Sequence, residues 1–430
     1  MHKPSTTTRL RRCYYAFEEW STQQWRRKAI SPCPSSNAIL APPKCWRLFM
    51  KPTSHQSPIY HKYHVRPIIN AAGSVTKFGG SRTRKEALEA MEQASKTLVD
   101  LADLNEKAGE VIARITKSPA GFVSNGAASG LILQAAAVIA GADPIKMAQL
   151  PQTKGLKNQI IIQTMHRFPY DQSYRAAGAE LVTIGSARRT ATWELEGAIN
   201  ERTAAVAFLF SPFTARTGLT LPQVSEIAHS RGIPVIVDAA SMVPPRENLT
   251  KYVKMGADLV SISGGKGIRG PQGSGLLFGR KDLVDAVSAN ASPNQFLGRG
   301  MKVSKEQIIG FLTALEVFIQ EDEEAEMNEY RRKAQQITDA LIEIPGMAVS
   351  VKHDEHDFII PSTLITFDRS WTGRTKEDIL SSLASGDPPV QLQSIFLPED
   401  QMAVDPFNVD NEELEVLIRR LREELLKSDL

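Results

Sequence analysis

Short apolar runs alternate with segments of helical periodicity from about residue 83 onwards, at the spacing of β-α-β units. Several of these runs are apolar throughout, as strands covered on both faces of a parallel sheet require. Residues 222–231 are typical of the amphipathic helices that connect such strands. This pattern restricts the chain to an α/β fold with a mostly parallel sheet and helices on both faces. The predicted strands are residues 159–165, 180–184, 204–211, 234–238, 258–263 and 275–278.

The pattern changes after Gly310, where a long charged helix is followed by the acidic run 320–329 and a further helix. The C-terminal end predicts another helix, because Asp410 can cap its first turn together with Glu413. The apolar stripe of this helix consists of Leu414, Leu417, Leu421 and Leu425. The predicted organisation is an N-terminal extension at 1–57, an arm at 58–82, a large domain at 83–318 and a smaller C-terminal α+β domain at 319–430.

The N-terminal extension differs in charge from the rest of the chain. Residues 1–50 hold nine Lys or Arg and two Glu, a net charge of +7, whereas the whole chain carries +3. We interpret this basic segment as disordered or misannotated sequence, joined by a wrongly chosen start codon, since globular patterning begins just after Met50. An Arg-rich transit peptide and a basic arm for nucleic acid are the alternatives.

The composition favours a soluble, cytoplasmic protein. With 430 residues, of which 42% are hydrophobic, the chain can bury a large core. Its apolar runs are shorter than the roughly 18 residues that a membrane-spanning helix requires. The last cysteine is Cys45, so the body of the chain needs neither disulfides nor a cysteine-ligated metal, and we predict no metal site. A transit peptide would instead indicate an organelle.

Asp238 and Lys266 each follow one of the predicted strands. An acid at one strand end can pair with a pyridine nitrogen, and a lysine amine on the next glycine turn can form a Schiff base with an aldehyde. The two residues therefore predict an enzyme with a pyridoxal phosphate site. For Lys266 alone, a turn lysine that points into water is the alternative.

Two turns rich in small residues can hold the phosphate of such a cofactor. The turn at 124–130 opens a predicted helix, whose unpaired N–H groups and positive dipole end favour an anion. Close packing of the helix start is the alternative. Ser261 and Ser263 offer hydroxyls beside Lys266. Residues 265–270 also match the dinucleotide pattern G-x-G-x-x-G, but we interpret this match as accidental, because it leads into another strand instead of a helix.

His166 directly follows the predicted strand at 159–165. The carboxyl end of a strand in a parallel sheet is a place where ligands bind. The imidazole can therefore lie flat on an aromatic cofactor, and a partly buried structural histidine is the alternative.

As a set, these motifs resemble the fold-type I pyridoxal phosphate enzymes, in the branch of seryl-tRNA selenium transferase and D-glucosaminate-6-phosphate ammonia-lyase. The resemblance covers roughly residues 65–425. It depends on Arg66-Pro-Ile-Ile-Asn-Ala-Ala-Gly73 with Gly79-Gly80-Ser81, residues 124–130, His166, Pro234-Val-Ile-Val-Asp238-Ala-Ala, Ser263-Gly-Gly-Lys266, Gly270-Pro-Gln-Gly273 and residues 296–306.

This resemblance implies a role for each matching residue. Lys266 would hold the cofactor as a Schiff base and move protons, Asp238 would keep the pyridine nitrogen protonated, and His166 would stack on the ring. Arg82 and Arg84 are expected to reach a site shared across a dimer interface, so we predict a homo-oligomer. The other implied cofactor ligands are Ser124, Gly126, Ala127, Ser241 and Ser263. The implied ligands of a substrate carboxylate or phosphate are Arg299, Lys302 and Arg269.

The predicted activity is α,β-elimination from a β-hydroxy amino acid, such as D-glucosaminate 6-phosphate, to a 2-keto acid and ammonia. A selenium transferase acting on seryl-tRNA is an alternative. Residues 1–57 lack the helical periodicity of a tRNA-binding domain, so the expected partner is a small amino acid and not a nucleic acid. Racemase, aldolase and aminotransferase chemistry shares the first steps, and a non-catalytic regulatory protein that binds the cofactor is a further alternative.

Overall fold

The structure is a computed structural model that describes residues 57–427. Its strands are β1 Ile69–Ala71, β2 Ala120–Ser124, β3 Gln159–Gln163, β4 Glu180–Ile184, β5 Thr203–Leu209, β6 Val235–Asp238, β7 Leu259–Ser263, β8 Gly275–Gly279, β9 Met347–Lys352, β10 Ser362–Phe367, β11 Val390–Leu392 and β12 Gln401–Val404. Its helices are α1 Pro58–Lys62, α2 Lys85–Ser95, α3 Leu101–Thr116, α4 Gly126–Ala140, α5 Pro144–Gln149, α6 Gln172–Ala176, α7 Thr192–Ala198, α8 Leu221–Ser230, α9 Asn248–Lys254, α10 Lys281–Asn290, α11 Lys305–Gln320, α12 Glu323–Leu341, α13 Lys376–Ser385 and α14 Asn411–Leu425.

The central sheet has seven strands in the order β2-β8-β7-β6-β5-β3-β4. Strands β3 to β7 pair in parallel, whereas β8 runs antiparallel to β2 and β7. Successive side chains of a strand point to opposite faces, and Ile160 and Ile161 accordingly belong to two different apolar cores. Helices α4 and α10 cover one face, and α8 and α11 cover the other. The predicted α/β class is confirmed.

Two predicted strands end earlier than expected, and one strand of the central sheet was not predicted. The predicted strand 159–165 ends at Gln163, because the chain turns into a 3-10 helix at Thr164–His166. The predicted strand 204–211 ends at Leu209. Strand β2 was not predicted, because it begins with Ala120 and Gly121, which have low strand propensity. It forms the edge of the sheet against β8.

The C-terminal part contains a three-stranded antiparallel sheet in the order β12-β10-β9. Strand β1 of the predicted arm pairs in parallel with β11, so the arm packs with this part of the chain. The predicted final helix is confirmed, since Asp410 and Glu413 form a capping box and the leucine stripe of α14 is buried. The boundaries between the predicted domains stay a prediction.

Across residues 57–427, no helix has the length and apolar character that crossing a membrane requires. Within the same range, no group of three or more His, Cys, Asp or Glu side chains is placed to hold a metal ion. The three interpretations of the basic N-terminal segment concern residues that lie outside the described range.

Candidate functional site

Several strand ends that carry polar side chains meet at one edge of the central sheet. Ser124 ends β2 and Ser263 ends β7, and both lie in register with Gly275 at the start of β8. Asp238 ends β6 and lies in register with Ser261 of β7. The sheet thus brings two hydroxyls and a carboxylate to the edge where open α/β sheets bind ligands.

Lys266 stands on the glycine-rich segment between β7 and β8, and we call residues 264–270 the lysine loop. The N–H of Gly270 donates to the carbonyl oxygen of Gly264 at 2.8 Å, which closes the base of the loop. A Cβ atom on Gly265 would come within 2.5 Å of the Cα of Gln272, so this position admits only glycine without a shift of the backbone. Lys266 is therefore presented by a compact loop.

Asp238 and Lys266 interact electrostatically. Burial raises the pKa of Asp238 to about 6, although the Ala240 N–H, which donates to its carboxylate at 3.0 Å, and the charge of Lys266 both act to lower it. Burial also lowers the pKa of Lys266, against the opposing effect of Asp238. The amine therefore loses its proton more readily than an exposed lysine does, as a nucleophile or proton carrier requires.

The glycine turn at the start of α4 is open to an anion. Gly126 has a φ of +72°, which glycine adopts without strain. Asn125 is the N-cap residue but makes no side-chain cap, and its amide donates instead to the carbonyl oxygen of Lys302 at 3.2 Å. A Cβ atom on Gly275 would come within 2.9 Å of the Ser124 Oγ, so a glycine there keeps this corner open.

His166 lies buried at the end of the 3-10 helix that follows β3. The backbone N–H of Leu209 donates to its Nδ1 at 3.4 Å, which puts the proton of the neutral ring on Nε2. Its ring meets Phe208 edge-on, with 4.4 Å between the centroids. Burial lowers the pKa of His166 to about 4, so the ring is neutral at pH 7. His166 and Asp238 line the same small cavity.

Arg299 and Lys302 are exposed on the segment between α10 and α11. The hydrogen bond from Asn125 to the Lys302 carbonyl puts this segment beside the start of α4. The backbone at Lys302 therefore borders the glycine turn at 124–130.

Arg269 has a different environment from the other predicted substrate ligands. Its guanidinium donates to the Tyr330 hydroxyl at 2.6 Å and to the carbonyl oxygen of Phe407 at 2.9 Å. It also lies over the Phe407 ring, 4.6 Å from the centroid. These contacts join the lysine loop to the C-terminal part, and the substrate role of Arg269 stays a prediction.

The expectation that Arg82 and Arg84 reach across a dimer interface is wrong for Arg84. Arg84 is only 8% exposed, and its guanidinium forms an ion pair with Glu321 of the same chain. Arg82 is held by Asp410, at 2.8 Å, and by Glu413 at the start of α14. The physical reason is that carboxylates from the C-terminal part bind both cations within the chain.

Tyr174 of α6, which was not predicted as a site residue, also lines the cavity of His166 and Asp238. Burial raises the pKa of Tyr174 well above its ordinary value, and the charges of Asp238 and Asp171 raise it further. Its hydroxyl is therefore a proton-bearing neighbour of Asp238. Helix α6 is only five residues long and carries no recognisable motif, so the sequence offers little signal for this contact. Ser241 is half-buried on the turn that follows Asp238.

The fold and the strand-end side chains define an α/β enzyme with an aminotransferase-like architecture. The family model for L-seryl-tRNA selenium transferase matches residues 68–356. The chain therefore belongs to this family. The predicted resemblance is confirmed.

Two curated relatives match most of the chain. D-glucosaminate-6-phosphate ammonia lyase of Salmonella typhimurium is 29% identical over 370 residues, which cover 85% of this chain and 97% of the relative. The 5'-C-glycyluridine monooxygenase-decarboxylase of Streptomyces sp. is 31% identical over 374 residues, which cover 85% of this chain and 92% of the relative. A solved structure of D-glucosaminate-6-phosphate ammonia-lyase superposes with a TM-score of 0.75 at 28% identity, and the match covers 87% of this chain and 99% of the other. The prediction that the chain is an enzyme is confirmed.

Proposed function

We propose that this chain is a pyridoxal phosphate-dependent lyase that eliminates water from a β-hydroxy amino acid and releases a 2-keto acid and ammonia. The observation that carries the proposal is the electrostatic pair of Asp238 and Lys266 at the sheet edge, beside the uncapped start of α4. The similarity to the ammonia lyase over 97% of that relative supports the reaction class.

The described residues fit this cofactor. Asn125 leaves the first N–H groups of α4 without a side-chain acceptor, and the glycine at 275 keeps space beside them, as a bound phosphate requires. Asp238 would pair with the ring nitrogen, Ser241 would approach the ring hydroxyl, and Lys266 would hold the aldehyde carbon. The phosphate would bind among Ser124, Gly126, Ala127 and Ser263.

When bound, pyridoxal phosphate supplies an electron sink that makes the proton on the α-carbon of the substrate acidic. The substrate amine would displace the Lys266 amine from the cofactor, and the freed amine would take that proton, because burial favours its neutral form. The Cβ–O bond would then break, and the β-hydroxyl would leave as water with the proton that the Lys266 ammonium returns. Water finally hydrolyses the released imine to the 2-keto acid and ammonia, so one water leaves, one is consumed, and no oxidant is needed.

Asp238 and His166 would set the electrostatics of this chemistry. A carboxylate in a buried site stabilises a protonated ring nitrogen strongly, since little solvent screens the pair. The His166 ring is neutral, and would pack on the cofactor without adding a cation that competes with the ring nitrogen for Asp238. Both roles depend on the shared cavity of the two residues.

A phosphorylated amino sugar acid is the substrate class that we propose. Arg299 and Lys302 are exposed cations on a segment tied to the start of α4, and paired cations suit a phosphate or carboxylate. The name of the ammonia-lyase relative states a substrate of this kind.

A second candidate function is oxidative decarboxylation, which the similarity to the monooxygenase-decarboxylase favours. Such a reaction would consume oxygen and release carbon dioxide from an amino acid. Transfer chemistry on seryl-tRNA, as in the name of the family, is a third candidate, for which the basic N-terminal segment would have to bind RNA in a salt-sensitive manner.

One experiment separates these reactions. The absorbance spectrum of the purified protein is recorded before and after the addition of β-hydroxy amino acids and phosphorylated amino sugar acids, with ammonia, keto acid, oxygen uptake and carbon dioxide measured in parallel. Release of ammonia and keto acid without oxygen uptake supports the lyase. Oxygen uptake with carbon dioxide release supports the decarboxylase, and a protein that binds no cofactor contradicts the whole proposal.

The oligomeric state and the location of the protein also belong to this proposal. We propose a homodimer in the cytoplasm, which binds a small amino acid and no nucleic acid. Sedimentation analysis of the full chain tests the dimer, and removal of residues 1–49 tests whether the basic segment affects activity or RNA binding.

A further inference from the structure

The lysine loop is rich in glycine. Four of its seven residues are glycines, whose backbone has more conformational freedom than that of any other residue. The loop nevertheless holds the partly buried Lys266 side chain where its charge acts on Asp238. The hydrogen bond between Gly270 and Gly264 closes the base of the loop, and contacts from outside the loop add further order.

Residues 80–84, which we call the brace segment, supply several of these contacts. The backbone N–H and the hydroxyl of Ser81 both donate to the carbonyl oxygen of Gly265, at 3.1 Å and 3.0 Å. The backbone N–H of Arg84 donates to the carbonyl oxygen of Arg269 at 3.0 Å, and its Nε donates to that of Ile268 at 2.9 Å. The brace segment thus binds the lysine loop on both sides of Lys266.

The other end of the Arg84 side chain reaches the joint between two long helices. Its Nη1 pairs with the carboxylate of Glu321, which lies between the end of α11 and the start of α12. Arg84 is 8% exposed, so little water screens its guanidinium. One planar guanidinium therefore bonds the lysine loop through Nε and the helix joint through Nη1.

The same joint is connected to the opposite side of the lysine loop. The guanidinium of Arg246 donates to the main-chain oxygen of Glu321, and its backbone N–H donates to the Glu323 carboxylate at 2.8 Å. Residue Val243, three positions before Arg246, packs its carbonyl against Gly267 so closely that a Cβ atom there would overlap it. The joint at Glu321 thus contacts both the brace segment, through Arg84, and the segment at 243–246, through Arg246.

We propose that Arg84 is a positioning residue, which holds the lysine loop in the geometry that presents Lys266 to the cofactor and links that geometry to the helix joint at Glu321. The inference rests on the proposed function, since it takes Lys266 as the residue that holds the cofactor. Arg84 touches neither the substrate nor the cofactor in this proposal and acts only through the loop.

The test compares three variants of the full chain. Arg84→Lys keeps the charge beside Glu321, but a single ammonium cannot reproduce the two-ended contact of the guanidinium. Glu321→Gln keeps the hydrogen-bond acceptor and removes the charge. Glu316→Gln is the matched control, because Glu316 lies on α11 close to the joint and forms an exposed pair with Arg114 at 3.4 Å.

Each variant is measured in two forms. In the cofactor-free protein, amide hydrogen exchange of the peptide that contains residues 264–270 is compared with exchange in the β9–β10 sheet. In the loaded protein, kcat and KM per bound cofactor and the pH midpoint of the cofactor absorbance are determined. The pH midpoint of the absorbance depends on the position and surroundings of the Lys266 side chain. A smaller fraction of folded protein lowers the absorbance but does not shift this midpoint.

For Arg84→Lys we expect roughly tenfold faster exchange of the loop peptide and a kcat lowered by roughly tenfold to a hundredfold, with KM little changed. Glu321→Gln should change the same quantities in the same direction by less, and Glu316→Gln should change none. Unaltered loop exchange and absorbance midpoint in Arg84→Lys would overturn the proposal, as would equal acceleration of exchange throughout the chain. A wild-type protein that binds no cofactor would refute the proposed function instead. The hydrogen-exchange data would still show whether Arg84 orders the lysine loop.

Discussion

The Asp238 carboxylate and the Lys266 amine interact electrostatically at the carboxyl edge of the central sheet. The charge of each group opposes the pKa shift that burial causes in the other. Burial raises the pKa of the acid and lowers that of the base, whereas the attraction between the two opposes both shifts. The site therefore holds an amine that is easily deprotonated, and an acid that a cationic ring nitrogen would keep ionised. This pair is the basis of the predictions about chemistry.

Lys266→Ala should abolish both the absorbance of the bound cofactor and turnover, because Lys266 is the one lysine of residues 57–427 whose charge acts on the pKa of Asp238. Absorbance spectra and ammonia release measure the two effects. Lys281→Ala is the control, since Lys281 is exposed and pairs with Asp285 at 2.8 Å. Turnover that survives in Lys266→Ala would contradict the assignment.

Asp238→Asn should lower kcat by at least about a hundredfold, and should also change the pH dependence of stability. Since the pKa of Asp238 is raised to about 6, its contribution to stability is fully present below about pH 4, the ordinary pKa of the residue, and is lost as the pH rises through 6. The cofactor-free variant should therefore be more stable than wild type at pH 8, by up to about 3 kcal/mol.

Urea denaturation at about pH 3.5 and about pH 8 checks this prediction, because these values lie below the ordinary pKa of Asp238 and above its raised pKa of about 6. Asp405, whose pKa burial also raises to about 6, titrates in both proteins and cancels in the difference. Asp282→Asn is a control of opposite sign, because Arg280 lowers the pKa of Asp282. An Asp238→Asn protein less stable than wild type at pH 8 would refute the burial argument.

His166→Phe should retain most of the cofactor affinity, whereas His166→Ala should weaken it by roughly fivefold, because stacking of aromatic rings contributes about 1 kcal/mol. Burial lowers the pKa of His166 to about 4, so its titration should not affect the pH dependence of kcat between about pH 5.5 and about pH 8. Cofactor titration and a pH profile of kcat test the two statements. A change of kcat with a midpoint near about pH 6.5 that is absent from His166→Phe would contradict this prediction. It would show that the imidazole titrates during turnover at about its ordinary pKa.

Ser263→Ala should raise the dissociation constant of the cofactor by about tenfold to a hundredfold, since a hydrogen bond to a charged phosphate contributes roughly 1.5 to 3 kcal/mol. Equilibrium titration followed by absorbance measures this constant. Ser230→Ala is the matched control, because Ser230 is exposed and bonds only within its own helix, to the Ile227 carbonyl at 2.8 Å. Equal affinities of Ser263→Ala and wild type would remove Ser263 from the phosphate site.

Asp410→Ala should destabilise the protein by about 1 kcal/mol, because Asp410 caps α14 through the Glu413 N–H at 2.8 Å. Asp410→Asn keeps an acceptor for that N–H and loses only the charge beside Arg82, so its loss should be smaller. Chemical denaturation of both variants measures the difference. A larger loss for Asp410→Asn would show that the ion pair matters more than the cap.

The position of Asp238 at a strand end, and those of His166 and Lys266 three residues beyond one, could be predicted approximately from the sequence, because strands buried on both faces leave continuous apolar runs that end abruptly. The final helix could be predicted for a similar reason, since its leucines recur at the helical period. Both signals are local. Strand β2 was missed because an edge strand that begins with Ala and Gly carries no such local signal.

The sequence by itself thus determined the α/β class and predicted the type of site, because short-range periodicity and turn chemistry encode the strands and the turns that follow them. Only the tertiary structure decided that Arg84 binds Ile268 and Glu321 within the chain, and that Tyr174 lies near Asp238. Residues 84 and 268 are far apart along the chain. Contacts of this kind arise from packing between elements, and nothing in the local sequence around either residue specifies its partner.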